Sequence, residues 1–494
     1  MRVYWNFLIF KLFYFVLVVP GSWQCDKGVQ DGTTGKTYKI IEESPTNFPG
    51  CKEDSQMLEA NGIKYCLAKV PDFLTYLQCA DVLQHENSDG SNRLLIDLNP
   101  ADDSAFSRSF DYGSSEFCKE TFVKSCVKAN INPDLLGKTI ELPGNIELKF
   151  TNKVPGDEHA YNYEGDDAVL IITYNPVNKT MQGLATLEDG RAFNLEYVGD
   201  GVHLWKEMNL NEIKKLEYGQ TGNRGIGHGQ DDTIDVNVTE NTANRMEPEI
   251  HNDNTTMVYI SVRFYFTPQF LVKTPDVIGF VAKIAAVTNQ GYKNSKVPIT
   301  IVVHCIEPLE IAEVYSDSEQ LTNFASIKGD NYKDILGSAD AATLLVSGEN
   351  FSSCGIAYVN SVLLGFTFSV VTKSCADTNY SFGHEIGHLL GCAHNVEDDN
   401  KPSYPYGFGY FFPSGQGKSG FRSIMAYAAP NYPTRTNYFS NPDVVFPDTG
   451  TATGVHGKAN NVAVMLRNRF SMAKVGDENK GCNLDWLKNA KVSK

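Results

Sequence analysis

His384-Glu385-Ile386-Gly387-His388-Leu389-Leu390-Gly391-Cys392-Ala393-His394 is the stretch that decides how the rest of this chain is read. His384 and His388 are four residues apart, so on an α-helix they project from one face about one turn apart. Two imidazoles at that spacing can grip a single divalent ion. Gly391 lacks a Cβ and can take the left-handed conformation that ends a helix. The chain can then turn back and deliver His394 as a third ligand. Three histidines leave the fourth tetrahedral position open, which marks a catalytic rather than a structural Zn²⁺ site. Glu385 adjoins the first ligand and is placed to take a proton from water held there. A bare HExxH recurs by chance, but five specified positions in eleven residues are far harder to meet. A plain core helix would also need partners for its buried His and Glu side chains.

Downstream lies Ser423-Ile424-Met425-Ala426-Tyr427. A lone Met in an apolar stretch is ordinarily core filler, but its order after His394 suits a Met-turn. With the HExxHxxGxxH pattern, this chain resembles the metzincin clan of zinc proteases. Within the clan it looks most like the reprolysin (adamalysin-like) branch and the related peptidyl-Asp metallopeptidases. The resemblance runs from about Met257 to the last helix. It includes Val258-Tyr259-Ile260-Ser261-Val262, Ser353-Cys354-Gly355-Ile356-Ala357-Tyr358 and Tyr438-Phe439-Ser440-Asn441-Pro442. Typical reprolysins carry Asn and Asp after the second and third histidines, where this chain has Leu389 and Asn395. They also usually carry Pro at the position of Tyr427.

The resemblance implies an α/β catalytic domain: a twisted, mostly parallel sheet with a zinc-binding active-site helix and a Met-turn. It implies one catalytic Zn²⁺ on His384, His388 and His394, Glu385 as general base, and Met425 as an apolar floor beneath the ligands. Tyr427 matches the place where astacin-like and serralysin-like members put a tyrosine that touches zinc or the developing oxyanion. A Tyr there can equally pack with its hydroxyl bonded to a neighbour. Asn395 either bonds the Met-turn backbone, as its counterpart does in relatives, or is a simple helix-exit residue. Ca²⁺ is possible among reprolysin relatives, but no loop shows convincing ligand spacing. The expected activity is hydrolysis of protein or peptide substrates. The alternative is a secreted binding or toxin-like protein on the same scaffold, against which the intact Glu385 and histidines speak. His304 reads as structural, and His456 and His228 lack ligand-like spacing. Cys392 reads as a disulfide partner.

The chain has 494 residues, more than one domain usually holds. A hydrophobic content of 42% supports ordinary globular cores. A net charge of −16 argues against nucleic acid or an anionic membrane surface as partner. After Met1-Arg2 an apolar run to Pro20, broken by Lys11, reads as a cleavable signal peptide over residues 1–24. Lys11 leaves too short a continuous stretch for a membrane span of ~20 residues, so the mature protein is expected to be secreted without a transmembrane segment. Eleven cysteines fit that setting. Six lie between Cys25 and Cys126 and five between Cys305 and Cys482, and the odd total leaves one thiol over. Sequons begin at Asn178, Asn237, Asn254, Asn350 and Asn379, the last too near the histidines to suit a glycan.

Residues 25–219 are expected to be a disulfide-containing, β-rich propeptide domain that inhibits the enzyme. Helices are expected over Phe73–Leu83 and Ser115–Lys128. Short β-prone runs follow at Ile140–Leu142, Glu147–Phe150, Ala168–Thr173 and Phe193–Val198 between Gly, Asp and Asn turns. In residues 220–256 the apolar residues thin out, which reads as an exposed linker and activation region. Its nearby basic candidates are Lys214, Lys215, Arg224 and Arg245. Asp200 superficially resembles an aspartate switch, but Asp-Gly favours a turn. Residues 257–494 form the expected catalytic domain. Strands at Met257–Phe266, Val297–His304 and Thr343–Val346 alternate with helices over Pro275–Gln290 and Ser318–Ile327. The zinc helix is expected over Asn379–Leu390 and a final helix over Lys458–Phe470.

Overall fold

The computed structural model describes residues 27–30, 37–40, 55–60, 63–69, 94–98, 117–218, 232–235, 254–327, 332–349, 351–398, 403–414 and 419–476. The expected signal peptide and the Phe73–Leu83 helix lie outside them. Two compact units divide the chain, residues 1–92 and 93–494. The first contains a four-stranded antiparallel sheet of β1 (Lys27–Gln30), β2 (Thr37–Ile40), β3 (Ser55–Ala60) and β4 (Ile63–Lys69), in the order β1-β2-β4-β3.

The second unit is built on two sheets. The first has nine strands. They are β5 (Ile96–Asp97), β6 (Val123–Ile131), β7 (Ile140–Leu142), β8 (Ile146–Lys153), β9 (Ala160–Glu164), β10 (Ala168–Asn175), β11 (Thr180–Leu187), β12 (Ala192–Gly199) and β13 (Val202–Met208), followed by helix α1 (Leu210–Tyr218). Strands β7 to β13 form an antiparallel meander, and β6 pairs along the free side of β13. Alternation gives the sheet two buried faces. Leu170 and Ile172 join Leu148, Tyr163, Leu195 and Trp205 in one core. Ile171 and Leu184 point the other way, into the main core of the unit. The turn between β12 and β13 runs through Gly199, Asp200 and Gly201, all at positive φ. Asp200 is a turn residue, as its neighbours suggested.

One expected helix is a strand. Residues 117–120 form a turn, and Val123–Ile131 pair with β13 instead of coiling. The disulfide Cys118–Cys126 ties that turn to β6. Period-2 spacing of Val123, Val127, Ala129 and Ile131 suits a pleated strand, and a partner edge was there to take it.

The second sheet has six strands. β14 (Thr233–Asp235), β15 (Val258–Phe266), β16 (Ile299–Pro308), β17 (Ala341–Val346), β18 (Gly355–Val359) and β19 (Phe368–Thr372) stand in the order β14-β18-β19-β17-β15-β16. All pairs are parallel except β18 with β19. Helices α2 (Val277–Asn294), α3 (Asp317–Ser326), α4 (Ser381–Leu389) and α5 (Asn461–Met472) complete the unit. Both sheet faces are covered, as a parallel sheet requires. Val262, Phe264 and Phe266 of β15 pack with Val281 and Ile284 of α2 and Ile386 of α4. Tyr265 faces the other way, against Leu321 and Phe324 of α3. Every residue of β17 is buried, as befits an inner strand. The expected strands and helices of residues 257–494 fall where these elements stand, with ends moved by a few residues. The arrangement is mixed α/β with a large antiparallel sheet beside it. Among the described residues no helix is long and apolar enough to cross a membrane.

Helix α2 lies between the two sheets, packing on β16 on one side and on β9, β10 and β11 on the other. Its Ile284 has no exposed surface. Replacing Ile284 with Ala should cost about 2–5 kcal/mol of unfolding free energy, the range for a truncated core aliphatic. Chemical denaturation measures it, and a loss under about 1 kcal/mol would mean that α2 is not clamped on both sides.

Candidate metal centre

Helix α4 carries His384, Glu385 and His388, and all nine of its residues are buried. The helix ends as the glycine foretold. Gly391 sits at φ +97°, its N–H bonded to the His388 carbonyl at 2.8 Å, and Cys392 N–H bonds to the Gly387 carbonyl at 2.9 Å. A Cβ on Gly391 would meet Asn360 Oδ1 at 2.9 Å. The chain reverses there into the short strand Ala393–Asn395, which carries His394 back beside the helix.

The three ring Nε2 atoms converge. His384 Nε2 stands 3.0 Å from His388 Nε2 and 3.2 Å from His394 Nε2. Each ring is held from behind through Nδ1. His384 Nδ1 faces the Ile424 carbonyl at 2.9 Å, His388 Nδ1 the Cys392 carbonyl at 3.0 Å, and His394 Nδ1 the Asp398 carboxylate at 2.8 Å. With an ion bound, such acceptors would keep the proton on Nδ1 and leave three Nε2 lone pairs pointing at one spot. Three lone pairs facing one another in a buried site repel unless a cation lies between them. Ligands at ~2.1 Å around a tetrahedral ion lie roughly 3.4 Å apart. The spacing and the donor set fit Zn²⁺.

A fourth group completes the cluster. Asp232 Oδ1 lies 2.8 Å from His394 Nε2 and 3.4 Å from His388 Nε2, and its Oδ2 lies 3.3 Å from His384 Nε2. These four residues form a buried set able to hold a metal ion. Asp232 falls in the stretch expected to be an exposed linker. Residues 254–257 are indeed exposed, but Asp232 is buried and the residues after it form β14, parallel to β18. The Asp232 carbonyl accepts from Ala357 N–H at 3.0 Å. The only signal in the sequence was an Asp pair in a polar run. Asp398 was also missed, although an acid four residues after a ligand histidine is a fair cue for a ring-orienting partner.

Electrostatics follow from the crowding. Burial lowers His384 to about 3, despite the Asp232 carboxylate beside it. Burial and then the charge on His394 lower His388. Burial alone would lower His394 too, but Asp232 and then Asp398 override it and hold it at about 9. Glu385 is held well above the usual carboxylate range, first by burial and then by Asp232, with Arg435 opposing. Its Oε2 is buried without a hydrogen-bond partner. Gly355 makes room for this carboxylate: a Cβ there would lie 2.5 Å from Glu385 Oε1.

Met425 is fully buried under α4, its Sδ 2.5 Å from where a Cβ on Gly387 would stand. Tyr427 packs on His394, with ring centroids 4.0 Å apart. Its N–H donates to Asn395 Oδ1 at 3.0 Å, so Asn395 does bind the backbone after Met425. Cys392 corrects the sequence reading. It is a free buried thiol with Sγ 3.6 Å from the Asn461 carbonyl, and burial pushes its pKa up. Instead, Cys354–Cys375 ties the start of β18 to the loop entering α4, and Cys305 is disulfide-bonded as well. His304 sits on β16 with Nε2 2.8 Å from Ser338 Oγ, and His456 stands at the surface beside Asp443. His228 lies outside the described residues.

A cavity of about 10 Å³ opens among His384, Glu385, Asp232, Tyr427, Glu217 and Arg435. A larger one, about 340 Å³, lies between the nine-stranded sheet and residues 421–448, and none of the three histidines lines it.

Comparison with known proteins agrees with this geometry. Residues 268–440 match the family model described as Reprolysin_5, metallo-peptidase family M12. The chain is 34% identical over 195 residues to a peptidyl-Asp metalloendopeptidase of Stenotrophomonas maltophilia (strain R551-3), covering 38% of this chain and 45% of that protein. It is 34% identical over 195 residues to the protein of the same name from Xanthomonas campestris pv. campestris, covering 38% and 44%. It is 40% identical over 72 residues to that of Pseudomonas fragi, covering 15% and 48%. The chain spans less than half the length of these curated relatives. The matched stretch is a metzincin-like metallopeptidase domain.

Two predictions follow from the geometry of the centre and its surroundings. Asp398→Asn should weaken metal binding about 10- to 100-fold, the usual cost of losing a carboxylate behind a ligand histidine. Competition with a fluorescent zinc chelator reads this directly. The buried carboxylates Glu196 and Glu217 are each depressed to about 2 from an ordinary 4.5, despite burial, by Lys206 and Arg422 respectively. A carboxylate whose pKa is depressed in the fold contributes stability above its unfolded pKa and loses it as pH falls toward the folded one. The protein should therefore lose stability between about pH 4.5 and pH 2. In denaturation at stepped pH, Glu217→Gln should flatten that slope.

Proposed function

We propose that this chain is a secreted, zinc-dependent endopeptidase made as a latent precursor. The observation that carries the reading is the convergence of His384, His388 and His394 Nε2 on one buried point beside the Glu385 carboxylate. Residues 1–24 serve as the signal peptide, 25–219 as the propeptide domain, 220–256 as the activation region and 257–494 as the catalytic domain.

When bound, Zn²⁺ supplies a Lewis acid that polarises the scissile carbonyl and makes attacking water acidic near neutral pH. Glu385 takes the proton from that water and passes it to the leaving amine nitrogen. His384, His388 and His394 are kept in place by the acceptors behind their Nδ1 atoms, and Met425 supports the helix from below. Tyr427, packed against His394 at a tilt of 33°, steadies that ring and directs its phenol toward the developing oxyanion. Once β14 is removed, the edge of β18 offers its backbone groups to an extended peptide, so a substrate can add to the sheet as a strand in its place.

Latency has a direct geometric cause in this reading. Asp232 holds the position that substrate and water need, and β14 takes the edge of β18. Release requires a cut that leaves Asp232 with the discarded part. Lys214 and Lys215 lie on α1, and Arg224 also precedes Asp232. Of the four basic candidates only Arg245 follows it.

The test is hydrolysis of casein by the purified protein with and without a chelator, beside metal analysis. Glu385→Ala should cut turnover about 10²- to 10⁴-fold while the zinc stays. Tyr427→Phe should lower turnover with zinc content intact, and unchanged turnover would remove Tyr427 from the chemistry. Asp232→Ala should open the metal position of the uncut precursor, read as faster exchange of bound zinc with a chelator, while full casein hydrolysis still waits on removal of β14. Activity indifferent to chelation would overturn the whole assignment.

A further inference from the structure

A buried imidazole in the nine-stranded sheet has no part in the reaction described above. His203, on β13, is 4% exposed. Its Nε2 accepts from Met181 N–H at 3.0 Å. This bond closes a gap in the sheet. Tyr174, opposite Met181 on β10, turns its own N–H away, to the His159 carbonyl at 3.0 Å, so the Met181 N–H faces β12. The pairing of β11 with β12 comes no nearer than Gly183 and Leu195, two residues short of Met181. His203 pairs with Tyr197 of β12, ring centroids 5.1 Å apart, and supplies the acceptor that the strand does not.

An imidazole accepts at a ring nitrogen only while neutral; once protonated, both nitrogens donate. A proton on His203 would set N–H against N–H inside the sheet and leave a charge in an apolar setting. The groups facing the ring are the Tyr197 ring from β12, the Met181 backbone from β11 and Ala129 from β6. None of them carries a charge to hold the proton, and burial lowers the pKa to about 4. Glu196, Lys206 and Lys128, on the same strands, alternate to the opposite face, where Glu196 binds both Lys206 and Lys373. Lys179 and Asp200 stand exposed in the flanking turns. The bond also sits where the sheet grips the rest of the chain. Gln182, next to Met181, donates through Nε2 to Asp276 Oδ2 at 3.3 Å, just before α2. On β12, Asn194 donates to Thr378 Oγ1 at 3.0 Å and Glu196 pairs with Lys373 at 2.9 Å.

We propose that His203 is an acid sensor: its protonation removes the acceptor that closes β11, loosens the sheet that grips the protease, and so couples acidification to loss of latency. This rests on the reading of residues 25–219 as a propeptide domain and adds how its hold is regulated. While the sheet is closed the ring stays neutral down to about pH 4; once opened, it takes a proton below its ordinary 6.5. The closed sheet is therefore at full strength above about pH 6.5 and loses stability as pH falls from there to about 4. That window lies above the one set by Glu196 and Glu217.

Hydrogen exchange on the uncut full chain tests this, with rates corrected for their intrinsic pH dependence. From about pH 7.5 to about pH 5, opening of β11 and β13 should rise about 30-fold, the ratio for a pKa that moves from about 4 to 6.5 on opening. Strands β15 and β17 should keep their protection. His203→Gln keeps an acceptor and cannot titrate, so it should hold β11 and β13 closed across this range. The same rise in His203→Gln would overturn the proposal. Should that variant not fold, the unaltered chain decides: simultaneous loss of protection in β11, β13, β15 and β17 would overturn it too. Coupling to latency is read by gel filtration after a cut between Asp232 and β15, with zinc present. The severed sheet should separate at least about tenfold faster at pH 5 than at pH 7.5, and His203→Gln should remove the difference. Equal rates in the unaltered chain would overturn the proposal. None of these readouts uses peptide hydrolysis, so a failure of the peptidase reading, seen with casein, stays distinct from a failure of the sensor.

Discussion

Three imidazoles can share one buried point only if each is prevented from turning away. That constraint organises the centre of this molecule. The Ile424 and Cys392 carbonyls and the Asp398 carboxylate hold the rings from behind, and each comes from a different piece of chain. The turn at Gly391, the stretch around Met425 and the loop after His394 therefore have to meet at α4 before the site exists. The sheet carrying β15 to β19 supplies the rigid floor on which they meet. Cys354–Cys375 fastens the strand that flanks Glu385 to the loop that enters the helix.

The rest of the second unit is joined to this centre through buried charge as much as through apolar packing. Lys373 bonds Glu120 and Glu196, Lys206 bonds Glu196, and Glu217 bonds Arg422 and Arg435. Lys283 of α2 pairs with Asp377 in the loop entering α4. Buried ion pairs are poor sources of net stability, because desolvation offsets most of their attraction. Their value lies in orientation, since a misplaced partner leaves an uncompensated charge. If the chain is cut as proposed, a contact that is specific while intact and separable afterwards is suited to such pairs. A purely apolar seam would cling after cleavage and would choose its register less sharply.

Much of the fold was legible because the relevant signals are local. The spacing of His384 and His388, the glycine at 391 and the alternation in residues 140–198 all act over one or two turns of chain. The helix expected over Ser115–Lys128 gave way to the strand Val123–Ile131 because pairing with β13, a distant edge, decides that stretch. Cys392 looked like a bridge partner by its place just past the helix-ending glycine in a chain of eleven cysteines. Packing against Asn461 leaves it sealed away from any other sulfur among the described residues.

By itself the sequence determined the histidine-bearing helix, its exit at Gly391, the three histidines and the carboxylate beside them, because a helix converts spacing into direction without help from distant residues. Tertiary structure alone decided that Asp232 lies on those histidines and that Glu217 lies between Arg422 and Arg435. Those contacts join residues more than a hundred positions apart. No periodicity encodes such meetings, because they depend on how two sheets pack across α2 and not on the residues beside either partner.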